Sequence, residues 1–326
     1  MFIRAAAATQ GVGVRTSSVA QADSAQTSLD GAALGSIVPI VRFRAMRAFQ
    51  PFQPFHRGEL ELQALTGEQA IAKRNAAVLA PELDHRAGPF LEAQRMIVIG
   101  SMAEDGWPQA SVLFGPAGFV SAVDETSVLL RLEAVARNDD PVWANLRTGA
   151  ALALLAIELP TRRRYRINGV IEAYAEQQVL LRVREAYANC PKYIRPRQVE
   201  VRALGGHEQS AQSGRELDDA RRAFITSCET FFVASVHTER GLDVSHRGGP
   251  PGFIELVSPT RLRIPDYAGN SLFNTLGNLR LDPRAGLILV NFATGRALSI
   301  TGRAEIVVGE GAERFWLLEL ERWQER

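Results

Sequence analysis

Apolar positions along this chain gather in short runs broken by turn residues. MIVIGSM (96–102) and TFFVASV (230–236) are rich in β-branched and aromatic side chains, and AALALLAIEL (150–159) and AGLILVNF (285–292) are longer apolar runs. Runs of this kind, without helical spacing, predict buried strands. Polar turns follow the first pair, at AEDGW (103–107) and HTERG (237–241), and each leads into a second strand ending at Gly-Pro. A third strand starts at GFV or GFI, and a fourth follows DET or SPT. The last strand of each set is RRYRINGVIEAY (163–174) or RALSITGRAEIVV (296–308). Short helices are expected at PFLEAQR (89–95), ARRAFITSC (220–228), VWANL (142–146) and SLFNTLGNL (271–279). Six short strands with tight turns, met twice, predict a mainly β fold of two closed or nearly closed antiparallel barrels with small helices. Closure would hide exposed strand edges.

The two sets are copies. Phe90, Ser101, Ser111, Gly115-Pro116 and Gly118-Phe119 recur 134 residues later as Phe224, Ser235, Ser245, Gly249-Pro250 and Gly252-Phe253. After a one-residue slip, Asn145-Leu146-Arg147 matches Asn278-Leu279-Arg280. Thr161, Arg163, Ile167, Gly169 and Glu172 then match Thr294, Arg296, Ile300, Gly302 and Glu305. A register kept this long marks a tandem duplication. The domains are read as a first barrel over 90–200, a linker and helix start over 201–222, and a second barrel over 223–326. A helical segment over 51–89 precedes them. Residues 1–50 are Arg-, Ser- and Thr-bearing with no acid before Asp23. They read as a transit-like peptide, a disordered extension, or sequence ahead of a working start at Met46.

Composition narrows the function classes. A net charge of +1 offers no electrostatic case for nucleic acid or anionic lipid. The run Arg162-Arg163-Arg164-Tyr165-Arg166 is expected at a hairpin, with alternate residues solvated. Two cysteines, Cys190 and Cys228, suggest a reducing compartment without a disulfide framework. A cytoplasmic location follows, or a mitochondrial one if the leader is a transit peptide. No apolar run reaches membrane-spanning length. The five histidines are scattered without metal-ligand spacing, and no G-x-G-x-x-G opens a helix after a strand.

The stretches DVSHRGGPPGF (243–253), IPDYAGNSLFNTLGNLRLDPRAGLILV (264–290) and GRALSITGRAEIV (295–307) resemble the pyridoxamine-5'-phosphate oxidase-like, FMN-binding split-barrel family. FHRGEL (55–60), GWPQASVLFGPAGF (106–119) and AYANCPKYI (186–194) add to it. The resemblance covers roughly residues 55–320 and points to the tandem branch, where two six-stranded split barrels in one chain pack as a pseudo-dimer. It implies FMN in the crevice between the barrels. On the second barrel it implies Ser245, His246, Arg247, Gly248, Ile264, Pro265, Asp266, Asn270, Ser271 and Asn274 as cofactor-binding residues. From the first barrel's tail it implies Asn189, Cys190 and Lys192, reaching across to close the site.

Arg offers a fixed cationic fork for phosphate, Ser and Asn add neutral donors, and Gly admits backbone N–H groups. The first copy has Val112 and Leu113 where the second has His246 and Arg247, and it gains Asp139 and Asp140. One flavin site per chain is therefore expected. Neighbours on a strand face opposite ways, so His246 and Arg247 share the crevice only if a bulge intervenes. The sequence departs from the family at Gly269-Asn270-Ser271, where an Arg-Lys group is usual, and at Ala297, where Gln is usual. The resemblance implies an FMN-dependent oxidoreductase using NAD(P)H or another donor, with a small-molecule substrate. A separate reductase and a homodimer are the partners it allows. A non-catalytic flavin carrier, or a haem or deazaflavin binder with His246 or His237 as haem ligand, stays open. Cys190 reads as a packing residue or a redox thiol, and no acid–base residue is named.

Overall fold

The computed structural model describes residues 52–135, 140–198, 211–309 and 313–326. The leader, Asp139 and the first ten residues of the linker fall outside them. Three helices come first: α1 (Arg57–Leu65), α2 (Gln69–Asn75) and α3 (Ala87–Glu92). The first barrel is β1 (Met96–Met102), β2 (Pro108–Phe114), β3 (Val120–Asp124), β4 (Ser127–Arg131), α4 (Val142–Asn145), β5 (Ala151–Glu158), β6 (Arg163–Ala175) and β7 (Gln178–Ala188). A short strand β8 (Gln212–Gly214) and α5 (Asp219–Ser227) lead into the second. That barrel is β9 (Thr230–His237), β10 (Gly241–Gly248), β11 (Glu255–Leu256), β12 (Arg261–Pro265), α6 (Asn274–Leu281), β13 (Arg284–Val290), β14 (Ala297–Val308) and β15 (Arg314–Glu325).

The strand orders are β2-β1-β5-β6-β7-β4-β3 and β10-β9-β13-β14-β15-β12-β11, the same path twice. Every pairing is antiparallel, and β8 adds to β15 off the path. Neither path closes on itself, so each is a split barrel, as the family resemblance implied.

Each path has seven strands, one more than the six read from sequence. The additional strands are β7 and β15, QVLLRVREAYA and RFWLLELERWQE. Both alternate apolar with charged positions, because one face lies on the core and the other meets water. Their charge content hid them among surface sequence.

The duplicated residues have physical reasons. Asn145 Nδ2 donates to Ser101 Oγ at 2.9 Å, and Asn278 Nδ2 donates to Ser235 Oγ at 3.0 Å, the same bond in each barrel. Gly169 and Gly302 sit at register shifts of β6 and β14. A Cβ there would meet the carbonyl oxygen of the next strand at 2.2 and 2.4 Å, so the bulge requires glycine.

The central strands are apolar on both faces because both faces are covered. Ile97, Ile99, Leu154 and Ile167 fill the first barrel. Phe231, Val233, Leu287, Ile300 and Trp316 fill the second, joined by Leu62 from α1. Val98, Val112 and Leu155 face outward and pack against Phe232, Val244 and Ile288, making a third core between the barrels. Helix α1 is capped by His56, whose side chain accepts from the Gly58 N–H while Glu59 accepts from the His56 N–H. It lies close on α6, where a Cβ on Gly58 would reach the Gly277 carbonyl. No helix among the described residues is long and apolar enough to cross a membrane.

Candidate functional site between the barrels

Strand β10 ends its sheet, so one edge pairs with β9 in unbroken register and the other is free. Along that free edge runs a cleft of about 870 Å³, counting its open mouth. Ser245, His246, Arg247 and Gly248 form one wall, and the end of β12, the loop after it and the start of α6 contribute Pro265, Asp266, Asn270, Ser271 and Asn274. Asn189, Cys190 and Lys192 come from the tail after β7. Twelve of the thirteen residues named from sequence thus border one cleft. Ile264 does not; it is fully buried in the second barrel's core.

His246 and Arg247 both border the cleft without a bulge. His246 turns toward the barrel interface, edge-on to Phe232 at 5.7 Å. Arg247 turns to the other face and pairs with Asp266 at 2.5 Å. A terminal strand lets a cleft wrap its edge and reach both faces, which makes the bulge unnecessary.

The tail crosses from the first barrel to the second. Tyr193 has φ +64 and stacks on Tyr267 at 5.2 Å, and its hydroxyl donates to the Ala268 carbonyl at 2.9 Å. A Cβ on Gly248 would come within 2.2 Å of the Tyr193 carbonyl oxygen, so β10 admits the tail only because residue 248 is glycine. Ile194 is buried among the interface residues, and Arg195 and Arg197 reach Glu229. Cys190 is partly buried and Lys192 is exposed.

The N-terminal helices brace the loop after β12. Asn75 Nδ2 donates to the Asn270 carbonyl at 2.8 Å, Ser271 Oγ donates to Glu68, and Asn274 Nδ2 donates to Glu59 Oε1 at 2.8 Å. Ser271 and Phe273 hold left-handed backbone at φ +61 and +64, a strain these contacts help to fix. Burial above all, with the nearby carboxylates of Glu185 and Asp243, pushes the Glu59 carboxyl up to about 8.

Sequence reasoning missed part of the cleft. Arg164, Arg166, Tyr193, Tyr267, Thr275 and Arg314 also line it. The two arginines belong to the run read as a solvated hairpin. Arg163 is indeed exposed, but Arg164 is half-buried and Arg166 is buried. Arg166 lies 2.9 Å from Asp243 Oδ1 and donates to the Tyr187 hydroxyl at 2.6 Å and to Ser245 Oγ at 2.5 Å. Ser245 in turn shares a hydrogen bond with Thr275 at 2.6 Å. The signal was the alternation within β6, whose Arg164 and Arg166 share the face turned to the other barrel. Arg314 pairs with Asp266 at 3.0 Å and also with Glu68.

A pseudo-symmetric counterpart of about 1080 Å³ lies at the other crevice, lined by Gln109, Pro141, Ser299, Thr301, Trp323 and the β8 segment. Leu113, the first barrel's equivalent of Arg247, is 1% exposed and packs in the first core. Ser111 donates to Asp140 at 2.5 Å. The larger crevice has no equivalent of the His246–Arg247 pair, although Arg215 and Arg322 line it.

A protein-family model described as pyridoxamine 5'-phosphate oxidase matches the chain twice, over residues 83–205 and 217–325. No curated protein sequence matches it. Among solved structures, a HupZ variant from Group A Streptococcus aligns over 34% of this chain and 99% of its own, at 11% identity and TM-score 0.29. A FAD-binding protein from Mesorhizobium loti aligns over 36% and 99%, at 12% identity and TM-score 0.26. Similarity at these levels carries no functional argument.

Proposed function

Because the chain belongs to the pyridoxamine 5'-phosphate oxidase family, we propose that it binds one FMN in the cleft along β10 and works as an FMN-dependent oxidoreductase. The observation that carries the reading is the composite cleft itself. Second-barrel strands, the β12–α6 loop and the first barrel's tail converge on it, while in the first barrel the equivalent of Arg247 is Leu113, buried in the core.

The residues present suit the group. His246 Nε2, Arg166 Nε and Arg247 Nε are buried without hydrogen-bond partners among the described residues, and all three residues border the cleft. Buried donors left this way favour a polar ligand that completes them. Ser245, Asn189 and the Gly248 and Gly269 backbone would hold polar edges of the flavin. Pro265 and Cys190 would flank it, and Tyr193 with Tyr267 would present aromatic faces at the mouth. When bound, the flavin supplies hydride or electron transfer, and the protein's part is to orient it and set its electrostatic surroundings. The excess of arginine and lysine over Asp266 in the lining favours an anionic ligand. NAD(P)H, or a reduced partner protein, is the donor class this reading carries.

The test is the visible spectrum of freshly purified protein, with release and identification of the chromophore. FMN near one per chain supports the reading. Two per chain would sink the single-site argument, and a protein that is colourless and refuses added FMN would remove the cofactor. Bound FMN without NAD(P)H-driven turnover would shift the assignment to a flavin carrier.

A further inference from the structure

Five cationic side chains line the cleft: Arg164, Arg166, Lys192, Arg247 and Arg314. Their charges are not equally available. Arg166 is paired with Asp243, and Arg247 and Arg314 share Asp266. Lys192 is exposed, where water and salt screen it. Arg164 is half-buried and has no carboxylate partner among the described residues. Its Nε and one terminal nitrogen donate to the Cys190 carbonyl, and the other terminal nitrogen faces His246 Nδ1 at 3.4 Å. A guanidinium carries five N–H groups and accepts nothing, so each of its terminal nitrogens keeps one donor unused.

The same contact fixes the histidine. An arginine can only donate, so His246 Nδ1 accepts and the ring proton sits on Nε2. His246 is 5% exposed and its Nε2 has no partner among the described residues. Burial first, then the charges of Arg164, Arg247 and Arg197, holds the imidazole neutral, its pKa well below the ordinary range. A cation without a carboxylate partner and a buried neutral N–H donor without an acceptor, among the described residues, thus belong to two touching side chains that both border the cleft. Both deficits are met by one anion with several acceptor oxygens.

We infer that Arg164 of the first barrel and the His246 Nε2–H of the second together grip the phosphomonoester end of the ligand, and that Arg247 serves to brace the β12–α6 loop through Asp266. This rests on the flavin reading above and moves the anion contact from the residue the sequence suggested to one it passed over. It also explains why the tail and β6 act together, since Arg164 holds the Cys190 carbonyl with the part of its fork that the ligand does not need.

The experiment titrates FMN and riboflavin, which differ only in the phosphate, into the wild-type protein and the Arg164→Gln and Arg247→Gln variants. Wild type should prefer FMN. Arg164→Gln should weaken FMN roughly ten- to hundred-fold while moving riboflavin less than about threefold, the loss of a charge-assisted contact. Arg247→Gln should keep most of the preference for FMN, and it tests the assignment even if the first variant does not fold. The inference is overturned if Arg164→Gln retains the wild-type preference, if it weakens both ligands in parallel as a mere holder of the tail would, or if Arg247→Gln erases the preference. Wild-type protein that binds neither ligand would instead bring down the flavin reading, and this inference with it.

Discussion

Replacing Asp243 by Asn tests what joins the barrels. The carboxylate lies on β10 of the second barrel and its partner Arg166 on β6 of the first, with side chains 4% and 5% exposed. Burial opposes the Arg166 charge, but Asp243 and Tyr187 more than offset it and leave the guanidinium pKa raised. Asp243→Asn keeps the shape and removes the counter-charge, which should cost about 3–5 kcal/mol, the usual penalty for stranding one member of a buried pair. Arg166→Met should cost a similar amount by stranding Asp243. The double variant strands neither, so its cost should fall short of the sum by at least about 2 kcal/mol. Urea unfolding followed by tryptophan fluorescence reads all three, with Trp316 in the second core as a reporter. Single costs under about 1 kcal/mol, or strict additivity, would show that the charges are solvated through the cleft and that apolar packing alone joins the barrels.

Three further expectations concern the surroundings of the site. Glu59, raised by burial to about 8, binds its proton more tightly folded than unfolded, so its contribution to stability is present below the ordinary carboxylate range and is lost as pH climbs through about 8. Glu59→Gln should therefore gain in melting temperature relative to wild type between pH 6 and pH 9, and a constant difference would refute the buried, protonated carboxyl. Gly248→Ala should displace the Tyr193 carbonyl and weaken flavin binding with the barrels still folded; unchanged binding would show that the tail does not close the cleft. Burial pushes the Cys228 thiol up to about 12, so a thiol reagent on native protein should label Cys190 alone, and labelling of Cys228 at a similar rate would contradict its packing.

The duplication was legible because its signals are local. Gly169 and Gly302 mark bulges, Asn145 and Asn278 hold the same hydroxyl, and the apolar runs of β1, β5, β9 and β13 announce strands buried on both faces. Most of the cleft was legible for the same reason, since the twelve expected residues that border it lie in three short stretches, on β10, from the end of β12 to the start of α6, and in the tail. Partnership was not. Nothing in the order of residues says that Asp266 is taken by Arg247 and Arg314 while Arg164 is left without a carboxylate among the described residues, because these contacts join segments 19 and 48 residues apart or lie across two barrels. The braces from Glu59, Glu68 and Asn75 were equally hidden, as each spans about two hundred residues.

The third core has a consequence for how the protein is made. Val98, Val112 and Leu155 leave the ribosome well before Phe232, Val244 and Ile288, which cover them. At ordinary elongation rates the first barrel waits on the order of ten seconds with an apolar sheet face bare. Helix α1 waits longer still, since Leu62 belongs to the core of the half synthesised last. A nascent chain of this design holds an exposed apolar face through that interval, and α1, the first helix among the described residues to be translated, completes its packing only with the second barrel.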